Sequence, residues 1–417
     1  MGIGYHLTIS KVSVGMYTEA TLKRFCELAG MAEVTEEAAD VLLISLCDPD
    51  DLPSLVALRK RWPQKMIIAG GFEGYFANPY LAWADCFVVG EGFRFLKTLG
   101  WSKDDALALP NVLHNHKQDV VPDYHVEWDA MPLVKMPKGT RYYYLGAKGC
   151  KRKCKFCATS WCMPHQLNDA RKLRSVTRYV QQDRKKLTII SNDAEDNEAV
   201  TASKSVRIQD YIKAPERNKA SMLHFGVEGW TEAGRRSMGK PISDEELALA
   251  IQLTKKHKQQ VQLFLIAGYP GWQPADIDTF IYALPPGLEL YPRMLVKITY
   301  FESNPHAPWG DEPINQTYVD RDDFFRRAND QNKRVRSFPF RSTARAAWRS
   351  VLRRCTPEEA LRLGPQPKGK NQPGEFELFC EHLESQGLTE LLTRRGACSN
   401  IKTSTRLGKQ DEETAET

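Results

Sequence analysis

The stretch Gly149-Cys150-Lys-Arg-Lys-Cys154-Lys-Phe156-Cys157-Ala constrains this chain more than any other. Three cysteines in a C-x-x-x-C-x-x-C spacing follow directly on the apolar segment Tyr142-Tyr-Tyr-Leu-Gly146. Spacing this tight lets three thiolates converge on one small inorganic centre from a single loop. Iron–sulfur clusters are held by such thiolates, normally four of them. Three would leave one iron open, which points to chemistry rather than to pure electron transfer. Zinc is the alternative: a structural site wants four ligands, and Cys162 and His165 lie just downstream to complete a set. The loop is rich in Lys, which argues against chance clustering of core cysteines.

The chain has 417 residues, enough for two or three domains. With 42% hydrophobic and 26% charged residues it has the composition of a globular protein. The formal net charge of +6 permits nucleic-acid binding without requiring it. Ten cysteines scattered among Lys-rich and apolar surroundings suit a reducing compartment and reactive or metal-bound thiols. The start lacks a signal-peptide pattern, His6 breaks the N-myristoylation pattern, and no apolar run suffices to span a bilayer. The expected location is the cytoplasm, with no membrane partner.

Residues 1–130 read as a small α/β domain with its linker. Apolar runs at 40–46, 65–71 and 85–92 read as buried strands, with a helix over 50–62 between the first two. This alternation predicts a parallel, doubly wound sheet whose ligands sit at strand carboxyl ends, where Ser45, Gly70-Gly71 and Gly90-Glu91-Gly92 fall. Pro110, Pro122, Pro132 and Pro137 argue against regular structure over 110–140. Residues 140–312 repeat strand, loop and helix, with strands over 141–146, 186–191, 221–228, 260–267 and 296–301. In a β/α barrel, chemistry collects at strand carboxyl ends. Residues 313–417 read as a basic helical region with a disordered tail. Arg321, Arg326, Arg327, Arg334, Arg336, Arg341, Arg345, Arg349, Arg353 and Arg354 are interleaved there with Phe324, Phe325, Phe338, Phe340 and Trp348. That pattern suits phosphates and stacked bases, or else the solvent face of a basic helix pair. A further helix is predicted over 375–392.

The cysteine loop resembles the signature of the radical S-adenosylmethionine (radical SAM) superfamily, with Phe156 matching its C-x-aromatic-C form. The resemblance continues in H-F-G-V-E-G (224–229), in the basic segment 235–240, in L-I-A-G-Y-P-G (265–271) and in N-P-H-A-P-W (304–309). It implies a partial (β/α)6 barrel in which Cys150, Cys154 and Cys157 hold a [4Fe-4S] cluster and SAM chelates the fourth iron. It further implies that Asn192 and Asp193 meet the SAM amine, Glu228 its amine or ribose, Arg235 its carboxylate, and the backbone at Gly268 and Pro270 its adenine. Electron transfer from the cluster into SAM would yield methionine and a 5′-deoxyadenosyl radical that abstracts hydrogen from the substrate. A reducing partner such as flavodoxin or ferredoxin is implied as well.

The N-terminal domain resembles the flavodoxin-like cobalamin-binding domain of many radical SAM enzymes. The D-x-H-x-x-G motif that ligates cobalt is absent, so the domain is expected to serve packing or substrate shape rather than cobalamin. Methylthiotransferases hold an auxiliary cluster in this domain; of Cys26, Cys47 and Cys86, only Cys47 stands where such a ligand would, and no auxiliary cluster is expected. What remains is chemistry needing SAM and one cluster, such as isomerisation. Virus-encoded radical SAM isomerases of thymidine hypermodification in DNA fit this profile, with a nucleoside or nucleic-acid-linked substrate. The alternatives are a tRNA or small-molecule methyl- or methylthiotransferase, and a non-catalytic iron–sulfur or zinc protein that binds nucleic acid.

Overall fold

A computed structural model describes residues 3–9, 15–114, 119–136, 139, 141–190, 205–284, 294–331, 335–337, 342–367 and 372–394. The N-terminal sheet contains β1 (Gly4–Ile9), β2 (Ala32–Glu33), β3 (Val41–Ser45), β4 (Met66–Gly70), β5 (Cys86–Val88) and β6 (Val112–Leu113), in the order β2-β1-β3-β4-β5-β6. The first five are parallel, and β6 closes one edge antiparallel to β5. This is a flavodoxin-like order, with its switch point between β1 and β3. Every residue of β3 is buried, as a strand covered on both faces requires. The connecting helices are α1 (Gly15–Leu28), α2 (Leu52–Arg61), α3 (Phe93–Leu99) and α4 (Lys103–Leu107), while two 3₁₀ turns over Phe72–Phe76 and Asn78–Tyr80 join β4 to β5.

Six further strands run parallel in two arcs. β8 (Arg141–Leu145) pairs with β11 (Lys186–Ile190), and β7 (Val134–Lys135) lies antiparallel on the edge of β8. β12 (Met222–Glu228), β13 (Gln260–Ala267), β14 (Met294–Tyr300) and β15 (Val335–Ser337) form the second arc in chain order. Among the described residues no ladder joins β11 to β12. Between β8 and β11 a small antiparallel pair, β9 (Ala147–Lys148) with β10 (Gln166–Leu167), brackets the cysteine loop. The helices of this region are α5 (Thr159–Cys162), α6 (Ala170–Gln182), α7 (Ile208–Lys213), α8 (Glu232–Ser237), α9 (Asp244–Lys256), α10 (Asp276–Ala283) and α11 (Arg321–Asp330). Along β12 and β14 burial alternates: Leu223, Phe225, Val227, Val296 and Ile298 enter one continuous core, while His224, Gly226, Glu228, Lys297 and Thr299 lie on the other face.

The chain after β15 folds back onto the N-terminal domain. α12 (Thr343–Leu352), α13 (Pro357–Leu363) and α14 (Glu375–Ser385) bury Trp348, Val351, Leu363, Phe379 and Leu383 in one cluster with Leu55, Leu58, Phe76 and Tyr80. The helix predicted over 375–392 ends instead at Ser385, where Gly387 has a φ of 64°, and resumes as a 3₁₀ turn over Thr389–Leu392. The predicted structureless linker also carries β6, β7 and a 3₁₀ turn over Trp128–Ala130. Its prolines delimit these short pieces, which complete sheet edges where one or two paired residues suffice. No described helix is long and apolar enough to cross a membrane.

If α14 belongs to the core of the N-terminal domain, Leu383→Ala costs about 2–5 kcal/mol of stability, the range for a fully buried leucine. Urea unfolding followed by tryptophan fluorescence checks this. A separate basic tail would leave the main transition in place.

Candidate metal centre and adjoining cavity

The cysteine loop is held from within and from three other segments. Gly149 opens it with a φ of 69°, and a Cβ there would collide with the Pro164 carbonyl across the hairpin. The Cys157 amide donates to the Cys154 carbonyl at 3.2 Å, and the Trp161 indole donates to the same oxygen at 2.9 Å. The Arg152 amide donates to the Cys150 sulfur at 3.4 Å. From outside, the Lys155 amide donates to the Met238 carbonyl at 3.0 Å, the Trp309 amide to the Lys155 carbonyl at 3.0 Å, and Asn304 Nδ2 to the Phe156 carbonyl at 3.1 Å. Gly239, with a φ of 78°, lets its segment pass the loop so closely that a Cβ would lie 3.0 Å from the Lys153 carbonyl.

Cys150, Cys154 and Cys157 share a cavity of about 350 Å³ with Phe156, Glu228 and Lys240. Glu228 ends β12 in the left-handed region, with a φ of 63° that a non-glycine residue rarely adopts, beside a register shift at Gly226. Such a conformation costs about 1–3 kcal/mol and persists only where its surroundings enforce it. Here it carries the carboxylate to Lys240 Nζ at 3.0 Å. Lys240 also donates to the Gly226 carbonyl at 2.9 Å and stands 5.8 Å from the Phe156 ring centroid. Gly226 leaves the room for this pair, since a Cβ there would lie 2.7 Å from both Glu228 Oε1 and Lys240 Nζ.

Burial works against the Lys240 ammonium, but Glu228 and Cys154 outweigh it and hold its pKa above the ordinary value. Burial pushes the Cys154 thiol up, and the nearby Lys240 charge only partly offsets this. A metal centre would therefore complete the deprotonation of that thiol.

The other expected contacts are distributed differently. Asn192 and Asp193 lie outside the described residues. Arg235 is fully buried: its Nε donates to the Ile242 carbonyl at 2.6 Å and its Nη2 pairs with Asp244. It therefore braces the start of α9 and does not line the cavity. One turn of α8 and the bend at Gly239 separate it from Lys240, which does. Gly268 and Pro270 follow β13 but are not among the residues lining this cavity; a Cβ on Gly268 would lie 3.1 Å from Gln316 Oε1. His224, Arg207 and Thr159 line it without having been singled out. Period-2 spacing from Glu228 through Gly226 marks His224, whereas nothing in the local sequence marks Arg207.

Of the two downstream candidates for a fourth zinc ligand, Cys162 is fully buried among the side chains between the loop and the N-terminal domain, and His165 is half-buried. Cys26 and Cys86 behave as small apolar core residues, and burial pushes both thiols up to about 12.

A second cavity, of about 280 Å³, lies at the carboxyl ends of β3, β4 and β5. Its walls are largely apolar, with Ser45, Gly70, Gly71 and Glu91 at the strand ends and Leu145 and Lys148 from β8 and β9 opposite. Lys148 pairs with Glu91 across the two domains. Among the described residues no histidine lines it.

Of the arginines expected on a basic surface, Arg345, Arg349, Arg353 and Arg354 instead meet carboxylates and carbonyls of their own chain, while Arg334, Phe338, Phe340 and Arg341 lie outside the described residues. Arg349 pairs with Asp48 and, at 2.9 Å, with Glu302. Arg354 donates to the carbonyls of Gly310 at 2.9 Å and Leu392 at 3.0 Å. Arg353 is buried with Glu73, at 2.7 Å, and its Nη1 donates to Asn304 Oδ1 at 2.7 Å. Since Asn304 also holds the Phe156 carbonyl, α12 reaches the cysteine loop through one side chain. Trp348 and Phe324 are buried rather than offered for stacking.

This arrangement defines an α/β protein with parallel sheets, of the architecture shared by radical SAM enzymes that carry a cobalamin-binding-type domain. No protein-family model matches the sequence, and no curated protein matches it. Among solved structures, the radical SAM methyltransferase TsrM from Kitasatospora setae, with cobalamin and a [4Fe-4S] cluster bound, aligns with a TM-score of 0.54 at 11% identity over 75% of this chain and 78% of that one. TsrM with tryptophan substrate and a SAM analogue aligns with a TM-score of 0.53 at 10% identity over 74% and 75%. The cobalamin-dependent SAM radical enzyme OxsB with aqua-cobalamin aligns with a TM-score of 0.53 at 10% identity over 68% of this chain and 52% of OxsB. At these identities the likeness establishes the fold.

Arg353→Met leaves Glu73 buried without its partner and is expected to cost about 3–5 kcal/mol. Adding Glu73→Gln should recover most of that loss. Denaturant titration of the two single variants and the double variant measures the coupling.

Proposed function

We propose that this chain is a radical SAM enzyme, with a [4Fe-4S] cluster on Cys150, Cys154 and Cys157 and SAM in the adjoining cavity. The observation that carries the reading is the placement of three, and not four, cysteine thiols on a braced loop facing the strained Glu228 and its partner Lys240. When bound, the cluster would supply the electron that divides SAM into methionine and a 5′-deoxyadenosyl radical. The chain's own residues bind and orient. Glu228 offers a carboxylate to the SAM amine or ribose, and Lys240 holds that carboxylate in place. Phe156 gives the cavity an apolar wall, and His224 and Arg207 bound its other side. Asn192 and Asp193 follow β11 and remain the proposed contacts of the amine. The partner this chemistry requires is a one-electron reductant of the flavodoxin or ferredoxin class.

The test is anaerobic reconstitution with iron and sulfide, an iron count, and assay of 5′-deoxyadenosine with SAM and dithionite. The expected result is about four irons per chain and deoxyadenosine formation. Replacing Cys150, Cys154 or Cys157 by Ala should remove both. Glu228→Gln should keep the iron and raise the KM for SAM by about 10- to 100-fold, as loss of a charged hydrogen bond requires. Zinc in place of iron, with no SAM cleavage, would sink the reading.

Methyl transfer is the second reading, and the apolar cavity of the N-terminal domain favours it. TsrM and OxsB, described with cobalamin bound, share the fold. Ser45, Gly70, Gly71 and Gly90 through Gly92 are the residues that would hold a corrinoid here. When bound, such a group would supply a methyl carrier. Titration with aquacobalamin decides between the readings: a saturable change in its absorption supports methyl transfer, and its absence returns the domain to a packing role. Isomerisation is the reading that needs only SAM and one cluster; its nucleic-acid-linked substrate drew on the arginine-rich C-terminal region, where Arg349, Arg353 and Arg354 pair internally.

A further inference from the structure

One helix of this protein carries a long, exposed run of positive charge. Residues 170–187, which form α6 and the turn after it, carry seven Lys and Arg against one Asp, a net +6 that equals the formal charge of the whole chain. The remainder sums to zero, although residues 148–155 of the cysteine loop carry five Lys and Arg and no acid; on α12, Arg345 and Arg349 pair with Asp50 and Asp48. α6 has 13 residues, so it is about 20 Å long. It buries Leu173 and Val180 against the barrel. Arg171, Arg174 and Arg178 are exposed at i, i+3 and i+7 and so share one face; Arg184 in the following turn and Lys186 at the start of β11 are exposed as well. Two polar groups of the element bind locally: Lys172 pairs with Asp129 at 2.8 Å, and Asp183 takes the Tyr142 hydroxyl at 2.9 Å and Lys135 at 3.4 Å. Tyr179 lies beside Arg178 and is 57% exposed, packed edge-on against Tyr142.

We propose that this stripe binds the phosphodiester backbone of a nucleic acid strand, with Tyr179 as a stacking platform. A line of exposed guanidiniums beside one aromatic ring is the chemistry that tracks a single strand. A protein partner would want an apolar centre to its interface, and α6 exposes no large aliphatic side chain. Helix-dipole complementation explains basic residues in a last turn only, whereas Arg171 and Arg174 stand in the first two. The inference does not depend on SAM cleavage, so the two stand or fall separately.

The test uses the full chain and fluorescein-labelled single-stranded DNA and RNA oligonucleotides, with anisotropy measured across a salt series. The triple variant Arg171→Gln, Arg174→Gln, Arg178→Gln is expected to weaken binding at least tenfold. It should also reduce the slope of log affinity against log salt by about 2, at about 0.7 per lost phosphate contact. Tyr179→Ala should weaken binding about fivefold or more with the slope unchanged. Lys255→Gln with Lys256→Gln, at the end of α9, should change neither, and thermal melts confirm that each variant is folded. Wild-type chain that ignores both oligonucleotides overturns the proposal, as does a folded triple variant with wild-type affinity and slope. So does a triple variant that keeps oligonucleotide binding and loses only reduction by an acidic flavodoxin, which would assign the stripe to the electron donor.

Discussion

The site depends on the buried ion pair between Arg353 and Glu73. Both side chains are out of water, Glu73 entirely. A pair so placed adds little net stability, because desolvating two charges offsets their attraction, but removing one partner is costly. Its effect is on geometry. Glu73 belongs to the turn just after β4, Arg353 to the end of α12, and Asn304 to the segment after β14. Arg353 bonds both of the others, the His306 ring meets the Tyr75 carbonyl at 2.6 Å, and Asn304 and Trp309 hold the cysteine loop. The two domains and the C-terminal helices therefore meet at one charged junction, and the cysteine loop hangs from it. Arg349 and Arg354 extend this junction toward Asp48 on one side and the last turn on the other.

Much of this was legible in sequence where a signal is local. β3, β4 and β13 show as apolar runs because strands covered on both faces have no polar side to interrupt them. The cysteine spacing and Glu228 at a strand end were legible for the same reason: the constraint lies within a few residues. Contacts across the chain were not. Arg353 and Glu73 are 280 residues apart, so no local window distinguishes an arginine bound for a buried carboxylate from one bound for phosphate. Arg235 and Lys240 share one short basic segment, and only the turn of α8 and the bend at Gly239 decide which faces the cavity. β1 was missed because Tyr5, His6 and Thr8 interrupt the run with polar atoms, although it is an interior strand of its sheet, paired to β2 and β3.

Charge follows a division of labour that composition conceals. The C-terminal arginines that dominate the sequence visually are structural, matched by acids and carbonyls from three segments. A run of exposed cations lies on α6, the helix that leaves the cysteine hairpin and returns as β11. The cavity combines a cationic side, from Lys240 and Arg207, with the Glu228 carboxylate. That arrangement suits a ligand bearing both an amine and a carboxylate. Glu228 accepts backbone strain to stand there, and Gly226 removes the side chain that would exclude it.

The central claim is that one iron of a three-cysteine cluster is completed by SAM. The most direct measurement is electron–nuclear double resonance on the reduced, reconstituted protein with SAM isotopically labelled at its amine nitrogen and carboxylate oxygen. The account requires hyperfine coupling of both labels to the cluster spin. A cluster spectrum unchanged by SAM, with no coupling to either label, would contradict it.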